Sequence, residues 1–364
     1  MKKKLLLTLT IFGAFVFAGC GKKTTKETTK GNTTVSTTKK ASTTKAITTK
    51  KSTEPVVLDG NIKYEYKYDA SGNITELVKS YKKTDSSPYV AYKKEVMTYD
   101  TYNAITEKIY YNYDEEAGDF VKTYRYTKEN NTSGNPLKTI EYTYDGETDS
   151  WKESEMREFT YNGSSNYASG YIIYTYNDGA FQKNSKINDT YNSKGSIVET
   201  IREVWNKTEN KWVNKTKSIN NYSTDNKLMD LIDYEWKDND WVNKGKGDIT
   251  YYTDGNEHEY TYYLWKSNDW SFLSKSVYTY ENGKRKEHIS YQKYGEVIRA
   301  SSKTEYLYGA DGKDYCLIGY SSSDGENWTY SYKDEYLNDK YDDYVYYRSY
   351  YWDSESSSWV ETIE

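Results

Sequence analysis

One large residue returns along most of this chain at intervals of 28 to 31: Tyr89, Phe120, Trp151, Phe181, Trp212, Trp241, Trp270, Ile298, Trp328 and Trp359. A period of that size constrains the fold more than any single motif does. Each copy must build the same supersecondary unit and bury its surface against its neighbours. A second recurring feature follows about ten residues after most markers, with tyrosines at i and i+2 running into Asp, Asn or Gly, as in YTYENGK and YLYGADGK. These residues tolerate left-handed backbone angles, so the pattern describes a strand entering a tight turn. The strand beyond the turn reads GNITELVKSY in the first copy and KLMDLIDYEW in the sixth. A polar stretch such as NKTENK or KDND, which reads as a looser turn, then leads to the next marker.

Apolar residues at helical spacings of three and four do not persist in any segment. The expected fold is therefore all-β: an antiparallel meander of about twenty strands built from roughly ten hairpin repeats over residues 56–364. Alternate residues of a strand share a face. From Trp151 one parity reads Trp151, Glu153, Glu155, Arg157, Phe159, Tyr161 and the other Lys152, Ser154, Met156, Glu158, Thr160, so neither face is dry. Burying unpartnered carboxylates is costly, which argues against a two-sheet sandwich. A single-layer twisted sheet or a wide curl or spiral is expected, held by backbone ladders, aromatic stacking and charge pairs across neighbouring strands. The aromatic content fits this expectation, because 45 tyrosines stand against 7 phenylalanines. Each buried tyrosine needs a partner for its hydroxyl, and a closely packed interior supplies few.

The N-terminal part has a different character. MKKKLLLTLTIFGAFVFAGC combines a basic start, an apolar run from Leu5 to Ala18 and small residues before Cys20, which reads as a secretory signal over residues 1–19. The ending FAGC resembles the bacterial lipobox. By that resemblance Cys20 is the lipidated, palmitate-type anchoring residue of a lipoprotein held on the outer side of a cell membrane and displayed at the cell surface. Residues 20–55 carry the lipidated cysteine and a linker with thirteen threonines, nine lysines and no aromatic. Such a segment cannot offset the entropy lost on folding and is expected to be a disordered tether. Residues 2–55 hold twelve lysines against two glutamates, a balance of +10; with a total of −5 this leaves −15 for the rest. A body of that sign has no general attraction for phosphate backbones, so nucleic acid is not an expected partner.

Copies such as YKYDASGNITE resemble the YD repeats of Rhs-type and teneurin-type proteins, and the match is carried by Tyr68, Asp69, Gly72 and Asn73. The resemblance implies a β-hairpin spiral and an extracellular location, without the toxin function of Rhs proteins. The body contains two histidines, His258 and His288, and one cysteine, Cys316, which leaves little for a zinc site or a thiol nucleophile. Cys316 reads as a packing residue. The loops around Asp311 and Asp324 lack the spacing of a calcium loop and read as turns. No catalytic residue, metal or cofactor is expected. The enriched feature is aromatic, and Trp212, Trp241, Trp270, Trp328 and Trp359 are the candidate ligand contacts, expected along one edge of the sheet. These features lead to a non-catalytic binding, adhesion or spacer module with a protein ligand. The alternative is cell-wall or dietary polysaccharide bound by the Trp and Tyr edge.

Overall fold

The computed structural model describes residues 62–82, 86–163, 166–309, 314–338 and 344–362. The expected signal peptide, Cys20, the linker and Asp311 lie outside the described residues. Every regular element is a strand: β1 (Ile62–Tyr68), β2 (Ile74–Tyr81), β3 (Val90–Tyr99), β4 (Ile105–Asp114), β5 (Asp119–Asn130), β6 (Pro136–Asp145) and β7 (Ser150–Tyr161). The chain continues through β8 (Ala168–Asn177), β9 (Ala180–Tyr191), β10 (Ile197–Asn206), β11 (Lys211–Tyr222), β12 (Leu228–Lys237), β13 (Asp240–Tyr251), β14 (Glu257–Lys266) and β15 (Asp269–Glu281). It then runs through β16 (Lys284–Tyr294), β17 (Val297–Tyr308), β18 (Asp314–Ser321), β19 (Thr329–Asn338), β20 (Tyr344–Asp353) and β21 (Ser358–Glu361). The described strand pairings are antiparallel and join consecutive strands, as the repeat predicts.

The chain forms two compact units. The larger comprises Val56–Tyr278 and Ser290–Ala300, and the smaller includes Thr279–Ile289 and Ser301–Glu364. In the larger unit β1 to β15 pair in chain order, and among the described residues extensive contact runs only between consecutive strands. It is a single layer. In the smaller unit β17 to β21 follow the same rule.

Eight of the ten markers occupy the second residue of an odd-numbered strand, while Tyr89 and Trp328 stand just before theirs. The two kinds of turn are not separated by length as expected, since NKTENK leaves four residues between its strands but KDND leaves two. KDND is the tight one: Asp238 and Asn239 have φ of 50° and 62°, the left-handed pair that a two-residue hairpin turn needs to match strand twist. Ser267 and Asn268 repeat it with φ of 50° and 61°. Although YTYENGK turns on Asn282 and Gly283 alone, with φ of 55° and 75°, most turns after the tyrosine pairs are longer. In the first, Asp69 Oδ1 accepts from the amides of Ser71 and Asn73, and Gly72 takes φ of 86°. The side chain thus supplies acceptors that a two-residue turn would obtain from the backbone.

The faces also divide differently from simple alternation. Most odd-numbered strands carry one extra residue near their fifth position, seen as the register break between Glu141/Glu155 and Tyr142/Glu153. Ser154 is that residue, and its hydroxyl bonds the Glu141 carbonyl at 3.0 Å. A bulge of this kind reverses which side chains share a face. Met156 therefore lies on the Trp151 face opposite Ile140, whereas Arg157 lies on the reverse face with Glu141 and Glu155. Arg157 pairs with both, at 3.6 and 2.6 Å. Charges in the strand centres pair across the ladder, as expected, with Lys186 to Glu203 at 2.9 Å and Lys275 to Glu259 at 3.2 Å. The most enclosed set is Lys79, Glu95 and Lys108, where Glu95 accepts from Lys79 at 2.7 Å and from Lys108 at 2.5 Å. Burial opposes the charge on Lys108, but the Glu95 carboxylate outweighs it and the ammonium pKa is raised.

Candidate binding surface

In the larger unit the even-to-odd turns bring the marker aromatics to one rim. From Phe120 to Trp270 each faces a second aromatic from the strand before. Trp212 meets Trp205, Trp241 meets Trp236 and Trp270 meets Trp265, each with centroids 4.9 Å apart and planes near perpendicular. Tyr113 with Phe120, Tyr144 with Trp151 and Tyr176 with Phe181 occupy the same place in earlier copies. Such edge-to-face pairs add about 0.5–1.5 kcal/mol beyond the area they bury. Lysines from neighbouring hairpins cover several of the outer ring faces. Lys183 Nζ lies 4.2 Å from the Trp205 ring centre, and Lys217 Nζ lies 4.6 Å from Tyr234 and 5.0 Å from Trp241.

The candidates Trp212, Trp241 and Trp270 thus align along a shared rim, but all are half-buried and committed to cross-strand partners. In the smaller unit Trp359 packs on Trp352 at 5.1 Å and on Tyr330 at 5.2 Å, while Lys333 sits 5.9 Å from its ring. Trp328 is half-buried and lies 5.7 Å from Lys303 Nζ. The partners Trp205, Trp236, Trp265 and Trp352 escaped sequence reasoning. Their signal is present, since each precedes a marker by five or seven residues across a polar turn.

The opposite rim of the larger unit shows why tyrosine is used so heavily. The last residue of an odd-numbered strand reaches back to the first residue of the even-numbered strand before it. Tyr99 donates to the Ile74 carbonyl, Tyr161 to Pro136, Tyr191 to Ala168, Tyr222 to Ile197 and Tyr251 to Leu228, all at 2.8–3.0 Å. Those carbonyls lie beyond the point where each ladder begins, at Glu76/Val96 and Asp230/Asp248 for example, so the hydroxyl satisfies an acceptor that the sheet leaves over. In β5 Asn130 stands in the tyrosine position, and its amide bonds Ile105 O at 3.0 Å. In the smaller unit Tyr308 donates to Arg285 O at 2.5 Å. Burial raises the pKa of Tyr99, Tyr161, Tyr191 and Tyr251.

The longer turns on this rim are tied to one another by side-chain amides, with Asn73 to Asn103 at 3.0 Å, Asn130 to Asp100 at 3.2 Å and Asn192 to Asn226 at 2.9 Å. The most exposed tyrosines of the larger unit also belong here, with Tyr68, Tyr102 and Tyr167 between 55% and 60% exposed. Between the turns that follow β9 and β11 lies a pocket of about 630 Å³, lined by side chains that include Thr190, Lys194, Glu199 and Ile219.

Tyrosines also cover glycines on the reverse face. A Cβ on Gly245 would lie 1.9 Å from the Tyr262 hydroxyl oxygen and one on Gly247 would lie 2.8 Å from the Tyr260 ring. Tyr262 crosses β13 over this lane and donates to Asp233 on β12 at 3.1 Å. The glycines of WVNKGKGDI thus make room for aromatic rings from the next strand.

The groups considered for chemistry have structural surroundings. Cys316 is 1% exposed opposite Leu307. Burial, then the charge of Arg285, pushes the His288 imidazole down to about 4, which keeps it neutral near pH 7. Asp324 accepts from the amides of Glu326 and Asn327, the Ser322 hydroxyl and the Asn327 side chain, all within its own turn. Among the described residues no three His, Cys, Asp or Glu side chains gather as metal ligands.

No family model matches the sequence, and no curated protein does. Solved structures share parts of the strand arrangement. A DUF3836 family protein from Parabacteroides distasonis is 16% identical over 26% of this chain and 83% of its own, with a TM-score of 0.23. A porin-like protein from Bacteroides uniformis is 10% identical over 68% of this chain and 95% of its own, with a TM-score of 0.31. A chain of the TcdB2-TccC3-Cdc42 structure is 12% identical over 82% of this chain but only 20% of its own length, with a TM-score of 0.24. This chain thus spans about a fifth of that last structure. Similarity at this level assigns neither a family nor an activity.

Proposed function

We propose that the chain is a non-catalytic, surface-displayed lipoprotein. Its hairpin repeats, akin to YD-type repeats, form a binding or adhesion module for a protein ligand on a membrane-tethered stalk. The observation that carries the reading is the single layer of the larger unit, in which consecutive strands account for the extensive contacts and both faces stay wetted. Such an architecture provides extended surface at low cost in apolar residues, and repeat proteins bind partners along such surfaces. The signal sequence, the lipobox-like FAGC and the threonine- and lysine-rich tether support attachment through Cys20. A single acyl chain anchors weakly, and lysines next to it add attraction for anionic head groups.

The test is expression with the native leader in a bacterium that processes lipoproteins. The reading expects acylated protein in the detergent phase of a phase-partitioning assay, degraded by protease added to intact cells. It also expects Cys20→Ala to move the protein to the aqueous phase. Protein that stays aqueous in both forms, or that intact cells shield from protease, would contradict the reading.

A further inference from the structure

The acidic side chains at the third residue of the even-numbered strands form a row in the larger unit, and most have a partner. Glu76 pairs with Lys67 at 2.7 Å, Glu107 with Arg125 at 2.6 Å and Glu259 with Lys275 at 3.2 Å, while Asp230 accepts from Asn221 at 2.6 Å. Glu199 belongs to the same row but has neither a cation nor a hydrogen-bond partner among the described residues. The register is the same in the paired copies, and the difference lies in the cation. Arg125 and Lys275 stand opposite residues 109 and 261, two beyond the acid, and the corresponding cation for Glu199 is Lys217, opposite Ile201. Lys217 stacks instead on Tyr234 and Trp241.

Glu199 lines the 630 Å³ pocket between the turns after β9 and β11. It stands beside Thr190 on one neighbouring strand and Ile219 on the other. The Lys194 side chain, on the turn after β9, bridges to the Thr224 carbonyl of the turn after β11 at 2.5 Å. The pocket is thus lined by the apolar residues Val198 and Ile219, a carboxylate with open acceptor sites, an ammonium and several residues with hydroxyl or amide groups. Its size falls within the roughly 300–1,000 Å³ common for small-molecule sites. The charges of Glu199 and Lys194 cancel, so the site has no preference for an ion of either sign. It can accept hydroxyl protons at the carboxylate and donate from the ammonium and amides, while an apolar ring face rests on Val198 and Ile219.

We propose that this pocket binds a pyranose unit of a neutral saccharide, with Glu199 accepting hydrogen bonds from sugar hydroxyls. The site lies on the rim opposite the tryptophans and goes beyond the protein-ligand reading. Failure of sugar binding would leave the lipidation and display of that reading intact. The test is calorimetric titration of the full chain with cellotetraose, xylotetraose and chitotetraose in turn. At least one is expected to bind one-to-one, and Glu199→Gln and Thr190→Trp are each expected to weaken it tenfold or more with the thermal midpoint unchanged. Lack of saturable binding by all three sugars would overturn the proposal, as would unchanged affinity in both variants. Binding that is lost in Trp241→Ala but kept in Glu199→Gln would place the sugar on the tryptophan rim and equally overturn it.

Discussion

The phenolic oxygen of Tyr251 lies 2.8 Å from the carbonyl oxygen of Leu228, the first residue of the strand before it and 23 positions earlier. The same link recurs at Tyr99, Tyr161, Tyr191 and Tyr222, which fasten their hairpins to the one before by a hydroxyl, and Asn130 does the same with its amide. This gives tyrosine a role that phenylalanine cannot fill. Tyr251→Phe keeps the ring but leaves the Leu228 carbonyl without its donor, which is expected to cost about 1 kcal/mol. A denaturant titration read by tryptophan fluorescence checks this. An unchanged midpoint would mean that water replaces the hydroxyl without loss.

The tryptophan rim makes a different prediction. Trp236 and Trp241 meet edge to face at 4.9 Å, and a double-mutant cycle of the two alanine substitutions should give a coupling of about 1 kcal/mol. Additive losses would mean that the two rings act independently and are held by the lysines or by solvent exclusion.

Gly245→Ala is expected to destabilise although alanine suits a strand better than glycine does. Its Cβ would fall 1.9 Å from the Tyr262 hydroxyl, so the ring must leave the lane and give up Asp233. Overpacking of this kind costs about 1–3 kcal/mol. In a Tyr262→Ala background the same substitution should be neutral or stabilising, which thermal melting of the four proteins would measure.

Alkaline unfolding should be pronounced. Burial raises the pKa of Tyr99, Tyr161, Tyr191 and Tyr251, and that of Tyr174 and Tyr260 to about 12. The unfolded value is near 10. A group whose pKa is higher when folded contributes stability fully below the unfolded value, and that contribution is lost as pH rises toward the folded one. Stability is therefore expected to fall between about pH 10 and 12. Tyrosinate absorbance should rise together with loss of the strand signal in circular dichroism. Ionisation of most tyrosines before any loss of strand signal would contradict the hydroxyl links.

The period, the strand count and the wet centres of the strands were legible because one large residue marks each copy and charged residues occupy every strand but β8. The sharing of faces was not. A bulge such as Ser154 adds a residue without any compositional mark, and it turned Arg157 away from the Trp151 face. The turn types were misread because Asp and Asn serve both. In KDND they take left-handed angles themselves, whereas in YDASGN Asp69 accepts backbone amides through its side chain. The alignment of Trp212, Trp241 and Trp270 along one rim follows from the repeat. Their commitment to Trp205, Trp236 and Trp265 depends on pairing register, which residue type alone does not encode. The Glu199 pocket was invisible for the same reason, since its open carboxylate follows from where Lys217 points.

The account rests on hairpins that are held by their immediate neighbours and not by a shared core. Amide hydrogen exchange of Tyr251→Phe, followed peptide by peptide against the unaltered chain, tests this most directly. Faster exchange confined to β12, β13 and the strands next to them is the predicted result. An equal loss of protection reaching back to β1 and β2 would mean that the layer unfolds as one body, and would contradict it.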